Sequence, residues 1–259
     1  MEVISYKKGH SNIYEVCFDN GKKYKIYDDI ILKYEMLIDK KITQKRLEDI
    51  LRDNTLLDSY YKALKYIGIK MRTEKEIEAY LKRYDFLESD IRYAIKRLKE
   101  DGYLDSKKYA EAYVTDAVNL SLDGPKKIEV TLAKLGVSST ITKQFLEKIP
   151  DEIWTSRIDK IIAKKAKINN KSESVFKNKM YSYLITLGYA SDDIKNALDD
   201  FHLDISVAFL KEADKTWNAL LRKSNDNKEV ALKFKNKMYT KGFGLDDIND
   251  YLSKKDSAY

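Results

Sequence analysis

A mainly α-helical chain is what this sequence predicts: an elongated, curved array of four three-helix repeats preceded by a small N-terminal β-hairpin or sheet region. Three observations predict it. A short pattern returns four times, in which a bulky residue just after a turn (Phe86, Val137, Tyr189, Phe243) is followed four or five residues later by an isoleucine (Ile91, Ile141, Ile194, Ile248) with another apolar side chain one helical turn beyond. The isoleucines lie 50, 53 and 54 residues apart, and a near-constant period of that size marks elements that bury their apolar faces against neighbouring copies. Turn glycines and helix-opening residues recur at the same joints, and the first 55 residues lack the pattern altogether.

In the N-terminal region, Val3 to Tyr6, Ile13 to Phe18 and Lys23 to Tyr27 are short and rich in β-branched and aromatic residues. The last two flank Asp19-Asn20-Gly21-Lys22, where Asn-Gly supplies the positive φ angles of a tight hairpin turn. Two short helices are expected next, over residues 28–38 and from a Thr43 cap to Leu51. A ribbon of two or three strands is marginal alone, so it should pack on one of them or on a partner.

The first repeat (residues 56–105) opens with a helix over 57–69, in which Tyr60, Leu64 and Ile67 recur at helical spacing. Thr73-Glu74-Lys75-Glu76 is a capping box that starts the second helix. Ile77, Tyr80 and Leu81 form its buried stripe, and residues 84–87 turn the chain. Ser89-Asp90 opens the third helix, which carries Ile91, Ile95 and Leu98 and stops at Gly102. Repeats two to four (106–150, 151–201 and 202–259) repeat this order. Pro125 suits a first helical position and Gly136 a stop. Gly188 and Gly242 close later second helices, and Ser191-Asp192-Asp193 and Asp246-Asp247 open the third helices. The hexapeptide Phe176-Lys177-Asn178-Lys179-Met180-Tyr181 recurs unchanged at Phe234 to Tyr239. The following glycine lies 12 residues beyond the first Phe and 8 beyond the second, which puts the two copies one turn apart on their helices.

Charged residues make up 35% of the chain, which has two prolines, nine glycines and no apolar run near the roughly 18 residues of a membrane span. A soluble helical protein is expected. Met1 is not followed by a secretory leader pattern, and Cys17 stands alone, so a reducing, cytoplasmic setting is expected. The net charge of +7 is spread over the chain without a basic or acidic tail. Ten or eleven residues before each turn residue there is a lysine: Lys75, Lys126 with Lys127, Lys179 and Lys233. All are placed near the start of the second helix of a repeat, where a regular array lines them up as a row of cations. Ordinary solvated lysines fit the same positions in a chain this rich in Lys and Arg.

Catalytic patterns are nearly absent. His10 and His202 have no zinc-ligand spacing with Cys17, and no glycine-rich phosphate loop or framed nucleophile appears. Asp192-Asp193 and Asp246-Asp247 stand where helices begin, which assigns them to the positive end of the helix dipole rather than to magnesium. The twenty tyrosines suggest base stacking. Tyr80, Tyr109 and Tyr113 fall on apolar stripes, as core residues with hydroxyls at the surface. Neither a catalytic residue, a metal site nor a cofactor is expected.

Ala63-Leu64-Lys65-Tyr66-Ile67, Arg72-Thr73-Glu74-Lys75-Glu76-Ile77, Ile91 to Leu98, and Asp101-Gly102-Tyr103-Leu104-Asp105 with Tyr109-Ala110 and Tyr113 together resemble the signature of the RecX regulatory proteins. The resemblance continues through Gly124-Pro125-Lys126-Lys127-Ile128, Leu132 and Gly136-Val137. At the front, Asn12-Ile13-Tyr14-Glu15-Val16 and its hairpin are similar to the N-terminal extension of Gram-positive members. Ser106 departs from the pattern where a second aspartate is usual, and four repeats stand where shorter members have three. The resemblance implies a cytoplasmic, monomeric protein of recombination, DNA repair and the SOS response. Such a protein binds the RecA recombinase filament on single-stranded DNA and modulates it, most often by inhibition, without enzymatic activity or membrane association. The candidate contact residues are Arg72, Lys75, Lys126, Lys127, Lys179 and Lys233. Two other readings stay open: a free-standing single-stranded nucleic-acid binder, and a helical adaptor with protein partners only. The salt dependence of DNA binding separates them.

Overall fold

The computed structural model describes residues 1–169, 172–202, 206–224 and 226–256. Residues 170–171 of the third expected repeat and 203–205, 225 and 257–259 of the fourth lie outside the described residues. The chain divides into two compact units, Met1–Ala112 with Leu132–Ile141, and Tyr113–Thr131 with Thr142–Tyr259.

Strands β1 (Val3–Lys8), β2 (Ile13–Phe18) and β3 (Lys23–Tyr27) form the expected sheet as an antiparallel meander. Tyr6 pairs with Val16 and Val16 with Tyr24, and Val16, Phe18 and Ile26 are fully buried on one face. Lys7, Glu15 and Lys25 form a rung on the other, as a two-residue side-chain period requires. The β2–β3 turn is closed by Phe18 N–H to the Lys22 carbonyl at 3.0 Å, with Gly21 at φ +77°.

Both sheet edges are blocked from within the chain. Val3 donates to the Lys40 carbonyl and Ile42 to that of Met1, each at 2.9 Å. On the far side the Asn54 side chain accepts from Tyr27 N–H at 2.9 Å and donates to the Lys25 carbonyl at 3.0 Å. One amide side chain thus takes the place of a fourth strand, the kind of protection an open edge needs.

Helix α1 (Asp28–Lys33) is shorter than the expected 28–38, and α2 (Gln44–Ile67) is a single helix of 24 residues. The break expected between residues 51 and 57, and with it the boundary at 55/56, is therefore absent. Residues 52–56 hold neither Gly nor Pro, so nothing stops the helix. What changes along α2 is its packing: it contacts α1 and β3 as well as α3 and α4, and its buried residues run from Leu47 and Ile50 to Leu57, Tyr60 and Ala63.

After α2 the helices continue α3 (Glu74–Lys82), α4 (Glu88–Glu100), α5 (Ser106–Leu120), α6 (Pro125–Lys134), α7 (Ser139–Leu146), α8 (Asp151–Ala166), α9 (Glu173–Thr186), α10 (Ser191–Asp199), α11 (Ser206–Leu221), α12 (Asn227–Thr240) and α13 (Leu245–Asp256). By turn chemistry they fall into triplets α2–α4, α5–α7, α8–α10 and α11–α13, each opened by its longest helix. The Thr73 capping box forms as expected, with Glu76 N–H to Thr73 Oγ1 at 3.2 Å and Thr73 N–H to Glu76 Oε2 at 2.9 Å. Asp105 opens α5 by accepting the Lys107 and Lys108 N–H groups, which hold its carboxyl below the usual range.

The apolar register follows the expected pattern with one correction. Ile91, Ile194 and Ile248 are buried, but in the second triplet the buried side chain is Thr142, and Ile141 is only half-buried. Thr142 stands five residues after Val137, the distance from turn residue to core position in the other three triplets. The hexapeptide copies are one turn apart at the front end too, since Phe176 lies four residues after the Ser172 cap and Phe234 eight after the Asp226 cap. Four residues are only slightly more than one 3.6-residue turn, so both copies still bury their Phe and Met.

Replacing Ile194 with Asp puts an unpaired charge at a fully buried position and is expected to cost about 3 kcal/mol or more in urea unfolding; a parent-like midpoint would contradict this packing. Tyr60 and Tyr61 donate to Asp101 and Asp29, and burial first, then the carboxylate, pushes both phenols up to about 12 from 10.0. The neutral phenol is the folded form, so this stabilisation is complete below pH 10 and lost as the pH rises toward 12. Absorbance at 295 nm should show these tyrosines ionising only with loss of helical circular dichroism, and ionisation near pH 10 in the folded state would refute the assignment.

Candidate nucleic-acid interface

The best-defined of the expected cation sites is the first turn of α6, which carries Lys126 and Lys127. Its position is fixed by contacts to the end of α9 in the same compact unit. Gly124 N–H donates to the Leu187 carbonyl at 2.7 Å and Lys126 N–H to the Gly188 carbonyl at 3.1 Å. The N–H groups at the start of one helix thereby meet the carbonyls at the end of the other, a favourable meeting of opposite dipole ends. The approach is tight: a Cβ on Gly188, whose φ is +86°, would lie 2.4 Å from the Lys127 nitrogen.

The loop before α6 is held by Arg157 on α8. Its Nη2 donates to the Ser121 carbonyl at 2.7 Å and that of Asp123 at 3.3 Å, its Nη1 to that of Val118, and its Nε to the Tyr189 hydroxyl at 3.3 Å. Tyr189 in turn donates to the Leu122 carbonyl at 3.2 Å. A single guanidinium fork therefore satisfies the carbonyls at the end of α5, a role its planar set of donors suits. Within this frame the Lys126 side chain is exposed, whereas Lys127 pairs with Asp123 at 2.7 Å.

The corresponding turn in the first compact unit uses its candidates differently. Lys75 Nζ donates to the Lys134 carbonyl at the end of α6, at 2.9 Å. Arg72 pairs with Glu76 at 3.1 Å and lies over the Tyr66 ring at 3.9 Å, and Tyr66 stacks on Tyr80 at 4.0 Å with planes 3° apart. The Arg72 side chain is only 13% exposed, so its visible role is to hold α2 against α3.

Lys179 and Lys233 depart from the expected location. Both stand seven residues after their helix caps, in the middle of α9 and α12. Those helices have 14 residues where α3 and α6 have 9 and 10, so counting back from the turn residue reaches a point beyond the first turn. Lys179 is exposed, and Lys233 pairs with Glu229. Residue counting therefore missed both the extra turn and Arg157, whose partners are backbone carbonyls 34 to 39 residues away and leave no trace in side-chain patterning. Among the described residues no group of three or more His, Cys, Asp or Glu side chains is placed to hold a metal ion, and no helix is long and apolar enough to cross a membrane.

Residues 60–98, from the second half of α2 through α4, match the family model for the first three-helix domain of RecX. A regulatory protein RecX of Listeria monocytogenes serotype 4a (strain HCC23) is 26% identical over 264 residues, covering 99% of this chain and 97% of the relative. Over nearly its whole length the chain is similar to RecX regulatory proteins. A regulatory protein RecX of Bacillus cytotoxicus is 28% identical over 267 residues, covering 98% and 96% of the two chains. Among solved structures, a crystal structure of regulatory protein RecX superposes with a TM-score of 0.67 at 22% identity, over 77% of this chain and all of that one, a likeness of fold. A crystal structure of RecX from Lactobacillus salivarius gives 0.53 at 29% identity, over 57% and 97%. Relatives that share nearly the whole length carry the name of a regulatory protein.

Arg157→Gln keeps a hydrogen-bonding side chain but loses the fork, and is expected to cost about 2 kcal/mol as carbonyls at the end of α5 lose their donors. Amide hydrogen exchange should speed up locally over residues 118–128; protection equal to the parent would show that the clamp is dispensable.

Proposed function

We propose that this protein binds the RecA recombinase filament assembled on single-stranded DNA and restrains its activity. The observation that carries the reading is the end-to-end similarity to proteins called regulatory protein RecX, over 99% of this chain in the Listeria relative. The exposed Lys126, mounted on a turn held by backbone hydrogen bonds, supports it: a cation on a fixed support loses little freedom when it meets a phosphate or carboxylate. Contacts of this kind, each modest, combine when several are made on one filament. The protein acts by itself, in the cytoplasm, without cofactor or membrane.

The test is filament-dependent ATP hydrolysis by the recombinase on single-stranded DNA. Lys126→Glu reverses an exposed charge, so melting should stay parent-like. About tenfold more protein should be needed for half-inhibition, which corresponds to about 1.4 kcal/mol. A variant that inhibits like the parent would remove Lys126 from the contact surface, and a parent without effect on the filament would overturn the reading as a whole.

A further inference from the structure

A recess of about 410 Å³ lies between the end of α11 and the first half of α12. Leu220 and Val230 form its floor, both almost wholly buried. Lys223, Lys233 and Lys237 rise around it, and none of the lining residues is acidic. Lys233 and Lys237 lie one turn apart on α12, about 6 Å along the axis. Lys233 shares its ammonium with Glu229, which also accepts the Ser224 hydroxyl at 2.6 Å. Ser224 and Asn236 place neutral hydrogen-bonding groups at the rim.

We infer that this recess is a binding site for one nucleotide unit of single-stranded nucleic acid, with its flanking phosphates held by Lys223, Lys233 and Lys237. The inference rests on the reading that single-stranded DNA lies against this protein, and it locates a contact in the last helix triplet. Three ammonium groups around one recess, one of them shared with Glu229, favour a polyanion. The volume is at the small end of the roughly 300 to 1,000 Å³ typical of ligand pockets, which suits a nucleotide. Lysine stems give the walls apolar surface against which a base can lie, and Asn236 can meet its polar edge. Spreading positive charge and apolar surface along a strand, without a fixed base code, is how sequence-tolerant single-strand binding works.

The experiment measures fluorescence anisotropy of a labelled twenty-residue oligothymidine, without recombinase, across a salt series. It compares the parent with Lys223→Gln/Lys233→Gln/Lys237→Gln, in which glutamine preserves helix propensity. Each lost phosphate contact should lower the slope of log affinity against log salt by about 0.7, so the triple variant should fall by about 2 and bind at least tenfold more weakly. Lys237→Gln alone should lower the slope by about 0.7, which keeps the test valid if the triple variant is unstable. Thymidine monophosphate should compete far more weakly than the strand, since it offers one phosphate. A parent that does not bind the oligonucleotide, variants with an unchanged slope, or a mononucleotide that competes as well as the strand would overturn the inference. None of these results bears on the filament ATPase assay, so the two readings fail separately.

Discussion

The close seat between the end of a triplet's second helix and the start of the preceding triplet's second helix is the contact on which the rest of the structure depends. In the second compact unit, Gly188 presses on the first turn of α6 and Gly242 on Ser172 and Val175 at the start of α9. In the first unit, Gly136 meets Lys75 at the start of α3. Each of these glycines has φ between +84° and +88°, a conformation that turns the chain sharply and leaves its last carbonyls facing outward. Those carbonyls find partners: Lys134 takes the Lys75 ammonium, and Leu187 and Gly188 take the N–H groups of Gly124 and Lys126. One geometric device thus ends a helix, satisfies its terminus and positions the next joint.

The seat also explains which cations remain available. Lys75 stands on the seat and is used by it. At the α6 turn the backbone does the same work through Lys126 N–H, and this releases the Lys126 side chain. Arg157 takes over the carbonyls that α5 leaves behind, so the whole turn is held without drawing on the exposed lysine. Two joints of similar sequence therefore differ in what they offer a partner.

Much of the fold was legible in the sequence because it is written in local chemistry. The Thr73 capping box, the Asn20-Gly21 turn, the stop glycines and the 50 to 54 residue period each act within a few residues of where they are read. Three features were not legible for physical reasons. The continuity of α2 depends on the absence of a breaker, and a change of packing partner resembles a boundary. The buried Thr142 sits beside an isoleucine that side-chain apolarity alone prefers. The extra turn in α9 and α12 preserves the buried face while moving Lys179 and Lys233 away from the helix start. Of the candidate site, the residue types and the α6 turn were readable, but whether a lysine is free or occupied depends on carbonyls distant in sequence, as Lys75 and Arg157 show.

The central claim, that the positive-φ glycine is needed at the seat for close approach as well as for its backbone angle, can be measured against an internal control. Gly102 has φ +78° with nothing within 4 Å of an added Cβ, whereas at Gly188 the added carbon meets the Lys127 backbone. Gly102→Ala should cost about 1 to 2 kcal/mol, the strain of the left-handed conformation alone. In urea unfolding, Gly188→Ala is expected to cost at least twice as much and to raise hydrogen exchange at the first turn of α6. Equal costs for the two substitutions, with that turn still protected, would contradict the account.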